Sequence, residues 1–160
     1  MDAMRAEARQ RSVALDPHSR AWALAAASAC LLPLLLQLPG SLAVGLAVAA
    51  ALVGALSWRP PIPAALRLLV SLALVAVVLS STRFSFGRDT GCALLAAMLA
   101  IKPMELRTLR DARSLLGFAL FAPFSTFLLD QGPLSLLLGM AGAIVALGAL
   151  HQLADDESGD

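Results

Sequence analysis

The sequence predicts an all-α bundle of transmembrane helices with about six spans joined by short loops. Hydrophobic residues make up 59% of the chain and charged residues only 14%, a balance that is rare in soluble domains. Alanine and leucine dominate and tyrosine is absent, which favours helices over a β-barrel. Short polar segments divide the apolar sequence into runs whose lengths approach that of a bilayer span.

The predicted elements follow one another closely along the chain. Residues 1–20 are polar and mixed in charge, and we expect a cytoplasmic tail followed by an uncleaved anchor rather than a signal peptide. Residues 154–160 form an acidic tail. Between the tails, the spans are predicted at 21–38, 42–58, 64–80, 91–106, 115–129 and 134–153.

Prolines and helix caps set the expected irregularities. Pro33 lies inside the first span and is expected to kink it, because proline removes one backbone hydrogen bond. Pro103 should bend the end of the fourth span, whose strictly apolar part is short, and Pro123 should perturb the fifth. Asp89 or Thr90 is a candidate cap for the fourth span, and Ser114 for the fifth.

Glycines predict where helices approach one another. Small residues four apart in the second span, including Gly45 and Gly54, fit close helix packing in lipid. Gly139, Gly142 and Gly148 in the last span carry the same expectation.

The charges are distributed unevenly between the two sets of helix ends. One set of ends carries Arg83 and Arg88 only. The other carries ten basic residues: Arg5, Arg9, Arg11, Arg20, Arg59, Arg67, Lys102, Arg107, Arg110 and Arg113. The positive-inside rule places this second set, and both termini, in the cytoplasm, with Trp22 and Trp58 at the cytoplasmic interface. The count also favours a fourth span that crosses fully, since otherwise four more positive charges would lie outside.

Two charged clusters are the candidate functional or docking sites. The outer cluster is Gly87, Arg88 and Asp89, interpreted either as a docking contact or as a solvated loop that favours a helix N-terminus. The inner cluster is Glu105, Arg107, Arg110 and Asp111. It is interpreted as a topology signal that attracts anionic lipid, although its interleaved acids hint at specific pairing, including pairing with another chain.

Catalytic, cofactor-binding and metal-ligating residues are not predicted. Cys30 and Cys92 lie in apolar runs without the spacing of a metal site. His18 and His151 could meet only if the first and last spans are neighbours. No charge falls at the centre of a span, which argues against a transporter or proton pump. A net charge of +1 gives no sign of a nucleic-acid partner.

The two clusters also carry a family resemblance. Phe86-Gly87-Arg88-Asp89-Thr90-Gly91, an apolar run, and then Lys102-Pro103-Met104-Glu105-Leu106-Arg107-Thr108-Leu109-Arg110-Asp111 follow the pattern F-G-R-[ED]-x-G and K-x-x-E-L-R-T-x-R-D. The chain thereby resembles the N-terminal membrane region of the bacterial transglutaminase-like TgpA family, often labelled DUF3488. The resemblance implies an inner-membrane location and a transglutaminase-like domain, outside the cytoplasm, that follows further membrane sequence. We therefore expect a complete member to continue past Asp160.

Two functions are compatible with these observations. The first is a membrane-anchoring N-terminal module, in contact with the lipid bilayer and with its own downstream enzyme domain or another membrane protein. The alternative is a stand-alone integral membrane scaffold or assembly partner. In either case no catalytic residue carries over to this chain, because the family's catalytic triad belongs to the outer domain.

Overall fold

The computed structural model describes residues 15–58, 63–83 and 87–158, and it confirms the all-α prediction. Within these residues, four helices are long and apolar enough to cross a membrane, counting the joined segment Leu109–Leu129 as one, and Gly40–Leu56 is a shorter apolar helix. The helices are α1 (Pro17–Gln37), α2 (Gly40–Leu56), α3 (Ala64–Ser81), α4 (Arg88–Ile101), a 3₁₀ turn (Lys102–Glu105), α5 (Leu109–Ala119), α6 (Phe121–Leu129) and α7 (Pro133–Ser158).

Helix α1 is the centre of the bundle. It packs against α2, α4, α5, α6 and α7. Its buried residues recur three and four apart, as on one face of a helix, and most of them are small: Ala23, Ala26, Ala27, Cys30, Leu31, Pro33 and Leu34. Small side chains let the neighbouring helices approach this face closely, so van der Waals packing can hold the bundle together in lipid.

The helix bounds extend some of the predicted spans. Helix α1 begins at Pro17, where Asp16 caps it by accepting a hydrogen bond from the His18 N–H at 3.1 Å. Proline suits this first position because its missing N–H would have no intrahelical partner there. Helix α7 continues to Ser158, through most of the predicted acidic tail. Of the predicted N-terminal tail, residues 1–14 lie outside the described part of the chain, as do residues 59–62 between the second and third predicted spans.

Helix α4, at the fourth predicted span, is short for a membrane crossing. Its 14 residues cover about 21 Å, less than the hydrocarbon thickness of about 30 Å. It nevertheless lies inside the bundle, with Ala93, Ala96 and Ala97 fully buried. In the sequence, α4 follows the C-terminal end of α3 after a short connection. The turn after α4 lies near the start of α3, where Glu105 is 3.7 Å from Arg67. The fourth segment therefore runs between the two ends of the bundle.

Prolines explain the end of α4 and the break between α5 and α6. The ring of a proline clashes with the carbonyl four residues earlier and cannot donate a hydrogen bond to it. Four residues before Pro123 is Ala119, the residue at which α5 ends. Pro103 likewise follows the end of α4 and lies in the 3₁₀ turn. Both predicted perturbations are confirmed, whereas α1 continues through Pro33 as one helix.

The close packing predicted for five glycines is confirmed for Gly139 and Gly142. A Cβ built on Gly142 would lie 3.2 Å from the backbone oxygen of Ala29 and 3.2 Å from the Cα of Cys30. A Cβ on Gly139 would meet the Phe127 ring at 3.1 Å. The prediction is wrong for the remaining three, since a Cβ would meet nothing within 4 Å at Gly45, Gly54 or Gly148.

Gly142 lies where α1 has lost a backbone hydrogen bond. Pro33 has no N–H, so the carbonyl of Ala29 lacks its usual partner four residues on. The backbone of α7 approaches α1 at this carbonyl, and the Cys30 thiol donates a hydrogen bond to the Gly142 carbonyl at 3.2 Å. One proline and one glycine thus lie together at a close approach of α1 and α7.

Helix α3 differs from the others in its exposure. Val78 is its one buried residue, and it packs mainly against α4. Only 6% of the 18 residues of α3 are buried, against 44% of the most apolar 18 residues of α1. The surface of α3 therefore remains open to lipid or to another protein.

Substituting the two glycines of α7 tests the α1–α7 contact. Gly142→Ala should lower the free energy of unfolding by about 1–3 kcal/mol relative to Gly148→Ala, because its methyl group would strike the α1 backbone. Gly148→Ala should be neutral or stabilising, since alanine favours a helix by about 1 kcal/mol over glycine and the space is open. Unfolding in mixed detergent, followed by circular dichroism, measures both. Equal effects of the two substitutions would contradict the contact.

Candidate functional site

Side-chain contacts define two ends of the bundle. The basic end holds the start of α1, the end of α2, the start of α3 and the 3₁₀ turn, connected by hydrogen bonds of Arg20 and by the ion pair of Arg67 and Glu105. The opposite end holds the end of α1 and the α6–α7 turn. There the Gln37 amide donates to the Ser135 hydroxyl at 3.1 Å and to Asp130 at 3.4 Å, and the Ser135 hydroxyl donates to Asp130.

Arg20 connects three segments at the basic end. Its guanidinium donates from Nη1 to the carbonyl of Ser57 at 2.9 Å and from Nη2 to the carbonyl of Leu106 at 2.6 Å. Ser57 caps the C-terminus of α2, and Leu106 caps the C-terminus of the 3₁₀ turn. The last carbonyls of a helix lack intrahelical donors and carry partial negative charge, so a cation with several N–H groups stabilises both caps at once.

Both tryptophans lie at the basic end, close to Arg20. The guanidinium carbon lies 5.7 Å from the centroid of the Trp58 ring, within the range of a cation–π contact. Trp22 donates from its indole nitrogen to Nε2 of His18 at 3.2 Å. Both rings are partly exposed, which suits an amphipathic side chain at a membrane surface.

Glu105, predicted in the inner cluster, is paired within the chain. Its Oε2 accepts from the Lys102 ammonium at 2.7 Å, and its Oε1 lies 3.7 Å from Nε of Arg67. Each of the three side chains is between 30% and 39% exposed, so water screens the pairs only in part. The ion pair with Arg67 joins the start of α3 to the 3₁₀ turn that follows α4.

Asp111, the second acid of the inner cluster, lies in the first turn of α5. Its Oδ2 accepts from the backbone N–H of Thr108 at 3.0 Å, and the Thr108 hydroxyl accepts from the Asp111 N–H at 3.2 Å. This reciprocal pair is a capping box, worth about 1 kcal/mol at the cap position. The acids of the cluster therefore have specific partners inside this chain, and Ser114 is not the cap that was predicted.

The basic members of the inner cluster divide between backbone and surface roles. The carbonyl of Arg107 accepts a hydrogen bond from the N–H of Leu15 at 3.1 Å, which holds the segment before α1 against the α4–α5 connection. The side chains of Arg107 and Arg110 are exposed. Arg113 donates to the carbonyl of Leu153 at 3.3 Å and so joins α5 to α7 at the same end.

The outer cluster lies at the N-terminus of α4. Arg88 and Asp89 form an ion pair at 3.5 Å, with side chains 69% and 76% exposed. Gly87 is the N-cap residue and no side chain caps the helix, so the predicted cap by Asp89 or Thr90 is wrong. Asp89 instead lies in the first turn, where its charge favours the helix N-terminus. The cluster is thus accessible to a partner, and its pairing is local.

The remaining candidates for chemistry stay apart. The thiols of Cys30 and Cys92 are buried and each donates to a backbone carbonyl. Helices α1 and α7 are neighbours, as a meeting of the histidines required, yet His18 pairs with Trp22 and His151 with Asp155. Over residues 15–58, 63–83 and 87–158, the structure holds no group of three or more side chains suited to a metal ion.

The role of Arg20 was not predicted from the sequence, in which this residue is only one positive charge of a polar tail. A usable signal was present, because Arg20 directly precedes an apolar run and lies two residues from a tryptophan. Such an arginine lies at the depth where helix ends and interfacial aromatic rings gather.

Together the fold and its two charged ends define a class of protein, an all-α bundle with helices apolar and long enough to cross a membrane. Within this class, the model of the TgpA N-terminal domain matches residues 22–160, and the chain belongs to that family. The resemblance stated from the two charged motifs is confirmed. Searches of the curated proteins and of the solved structures found no match.

Substitution of Arg20 tests its connecting role. Arg20→Ala should lower the free energy of unfolding by about 2–5 kcal/mol, because two partly buried carbonyls lose charged donors. Arg20→Lys should recover only part of this, since an ammonium group cannot span two carbonyls as a planar guanidinium does.

The matched control is Arg110→Ala, which removes the same charge from an exposed site at the same end. It should change stability by about 0.5 kcal/mol or less. The measurement is denaturant unfolding of the purified protein in detergent. An effect of Arg20→Ala no larger than that of Arg110→Ala would contradict the role assigned to Arg20.

Proposed function

We propose that this chain is the membrane-anchoring N-terminal module of a TgpA-like protein in the bacterial inner membrane. The observation that carries the proposal is the family match over residues 22–160, which covers all the helices except the first turns of α1. In this family, the sequence resemblance implies a transglutaminase-like domain outside the cytoplasm. The module's own task is then to hold that domain at the membrane surface.

The charge distribution supports a cytoplasmic location for the basic end. Among the described residues, the opposite end carries Arg83 and Arg88. The basic end carries Arg20, Arg67, Lys102, Arg107, Arg110 and Arg113, which its hydrogen bonds and ion pairs gather together. An excess of arginine and lysine in short segments near helix ends marks the cytoplasmic side. Both ends of the described chain, at Leu15 and Ser158, then lie in the cytoplasm.

The outer cluster is the proposed contact with an extracytoplasmic domain. Arg88 and Asp89 are exposed at the opposite end. Water screens their ion pair, so replacing it with contacts to a partner costs little free energy. A domain that follows in the same protein could present complementary charges to this pair. The inner cluster, by contrast, is committed to contacts within the bundle through Glu105 and Asp111.

A second candidate function is a stand-alone membrane scaffold, which the exposed surface of α3 favours. Val78 is the one buried residue of that helix, so most of its length is available to a partner helix. The size of the native product separates the candidates. With an N-terminal tag at the native locus, a membrane-fraction band well above 16.6 kDa supports the anchored enzyme, whereas a band at that mass supports the scaffold.

Single cysteines test the orientation. In spheroplasts, a charged, membrane-impermeant maleimide should label Gly87→Cys and Gln131→Cys, but should label His18→Cys and Arg107→Cys only after lysis. The native Cys30 and Cys92 are buried and give a low background.

The variant at Arg107 reports specifically on α4. Labelling of Arg107→Cys in intact spheroplasts, with His18→Cys still protected, would mean that α4 does not cross the membrane. Labelling of His18→Cys before lysis, with Gln131→Cys protected, would reverse the orientation and contradict the proposal.

A further inference from the structure

A groove opens between α3 and α4 at the basic end. Its volume is about 410 Å³. Its rim is charged and consists of Arg67, Lys102 and Glu105. The rest of its lining, the floor, is mostly apolar and includes Val75, Leu94 and Met98, with Ser71 as its one polar residue. The groove therefore matches a ligand with a charged head and an apolar tail.

The charge of the rim favours an anion. Two cations face one carboxylate, and Glu105 occupies only part of their donor capacity, through Oε2 to the Lys102 ammonium and Oε1 near Nε of Arg67. An ammonium has three N–H donors and a guanidinium has five. The terminal N–H groups of Arg67 are suited to two oxygens of one phosphate, the geometry that makes arginine a preferred phosphate ligand.

The depth of the groove matches that of a lipid. Arg67 lies in the first turn of α3 and Lys102 directly follows α4, so the rim lies at the level of the bundle end. Val75 is eight residues further along α3, or about 12 Å deeper along its axis. A phosphate at the rim and an acyl chain along the floor would each meet a surface of matching polarity.

We propose that this groove binds one anionic phospholipid of the cytoplasmic leaflet, with its phosphate at Arg67 and Lys102 and an acyl chain against Val75, Leu94 and Met98. The inference rests on the proposed membrane function, because the rim lies at headgroup depth only if the helices cross a bilayer. The bound lipid fills the gap beside α3 and so fixes this otherwise sparsely packed helix to α4.

Native mass spectrometry of the whole chain in detergent tests the site. Given equal phosphatidylglycerol and phosphatidylcholine, the protein should retain the anionic lipid with a preference of about tenfold or more. Arg67 and Lys102 each attract an anionic headgroup, and their two contributions add. The double variant Arg67→Gln/Lys102→Gln should lose the preference.

Two further variants separate the groove from general charge and from misfolding. Arg107→Gln/Arg110→Gln removes the same charge from exposed sites at the same end and should keep the preference. Met98→Trp, at a partly exposed position, fills the floor without changing charge and should lower retention of either lipid. Circular dichroism checks that each variant is folded, and inorganic phosphate at millimolar concentration should not displace the lipid.

Three results would overturn the inference. The first is loss of preference in the control variant to the same extent, which would mean only diffuse attraction to the basic end. The second is an unchanged preference in the Arg67→Gln/Lys102→Gln variant. The third is displacement by free phosphate. Lipid retention in detergent does not depend on orientation, so the cysteine labelling can succeed while the groove fails, and the two failures remain distinguishable.

Discussion

The bundle depends on hydrogen-bond donors for the backbone carbonyls at the helix ends, which lie together at one end of the apolar core. The carbonyls of Ser57 and Leu106 belong to two different helix termini, and Arg20 from a third segment donates to both. Both hydrogen bonds are partly buried, and a buried carbonyl without a donor costs free energy. One guanidinium with two N–H groups therefore fixes the relative positions of the three segments. The contacts of Glu105 and Asp111 add to the same end and connect α3 and α5 to it.

Between the ends, small residues and prolines decide how closely the helices pack. Helix α1 presents an alanine-rich face, and Pro33 leaves the Ala29 carbonyl without its helical partner where Gly142 of α7 approaches. Pro123 accounts for the end of α5 at Ala119 and the start of a separate helix at Phe121. Helix α3 has little of this packing, which makes its surface, and the groove it forms with α4, the natural place for a lipid or a partner.

The sequence was sufficient for the fold class, the order of the helices and the family, because apolar runs, turn residues and the motifs around Arg88 and Glu105 are local signals. The helix breaks at Pro103 and Pro123 were predictable for the same reason. The individual contacts were not predictable, because they join distant segments: Arg20 meets Ser57 and Leu106, and Glu105 meets Arg67. A glycine in a helix likewise does not reveal whether a neighbour lies against it, as the contrast between Gly142 and Gly148 shows.

The most direct test of the role of Arg20 is hydrogen–deuterium exchange on the wild type and on Arg20→Ala in the same detergent. If Arg20 joins the three helix ends, exchange in the variant should rise at two segments distant in sequence, around Ser57 and around Leu106, as well as near residue 20, while α6 keeps its protection. Faster exchange confined to the neighbourhood of residue 20 would contradict a shared constraint and leave Arg20 as one interfacial charge among many.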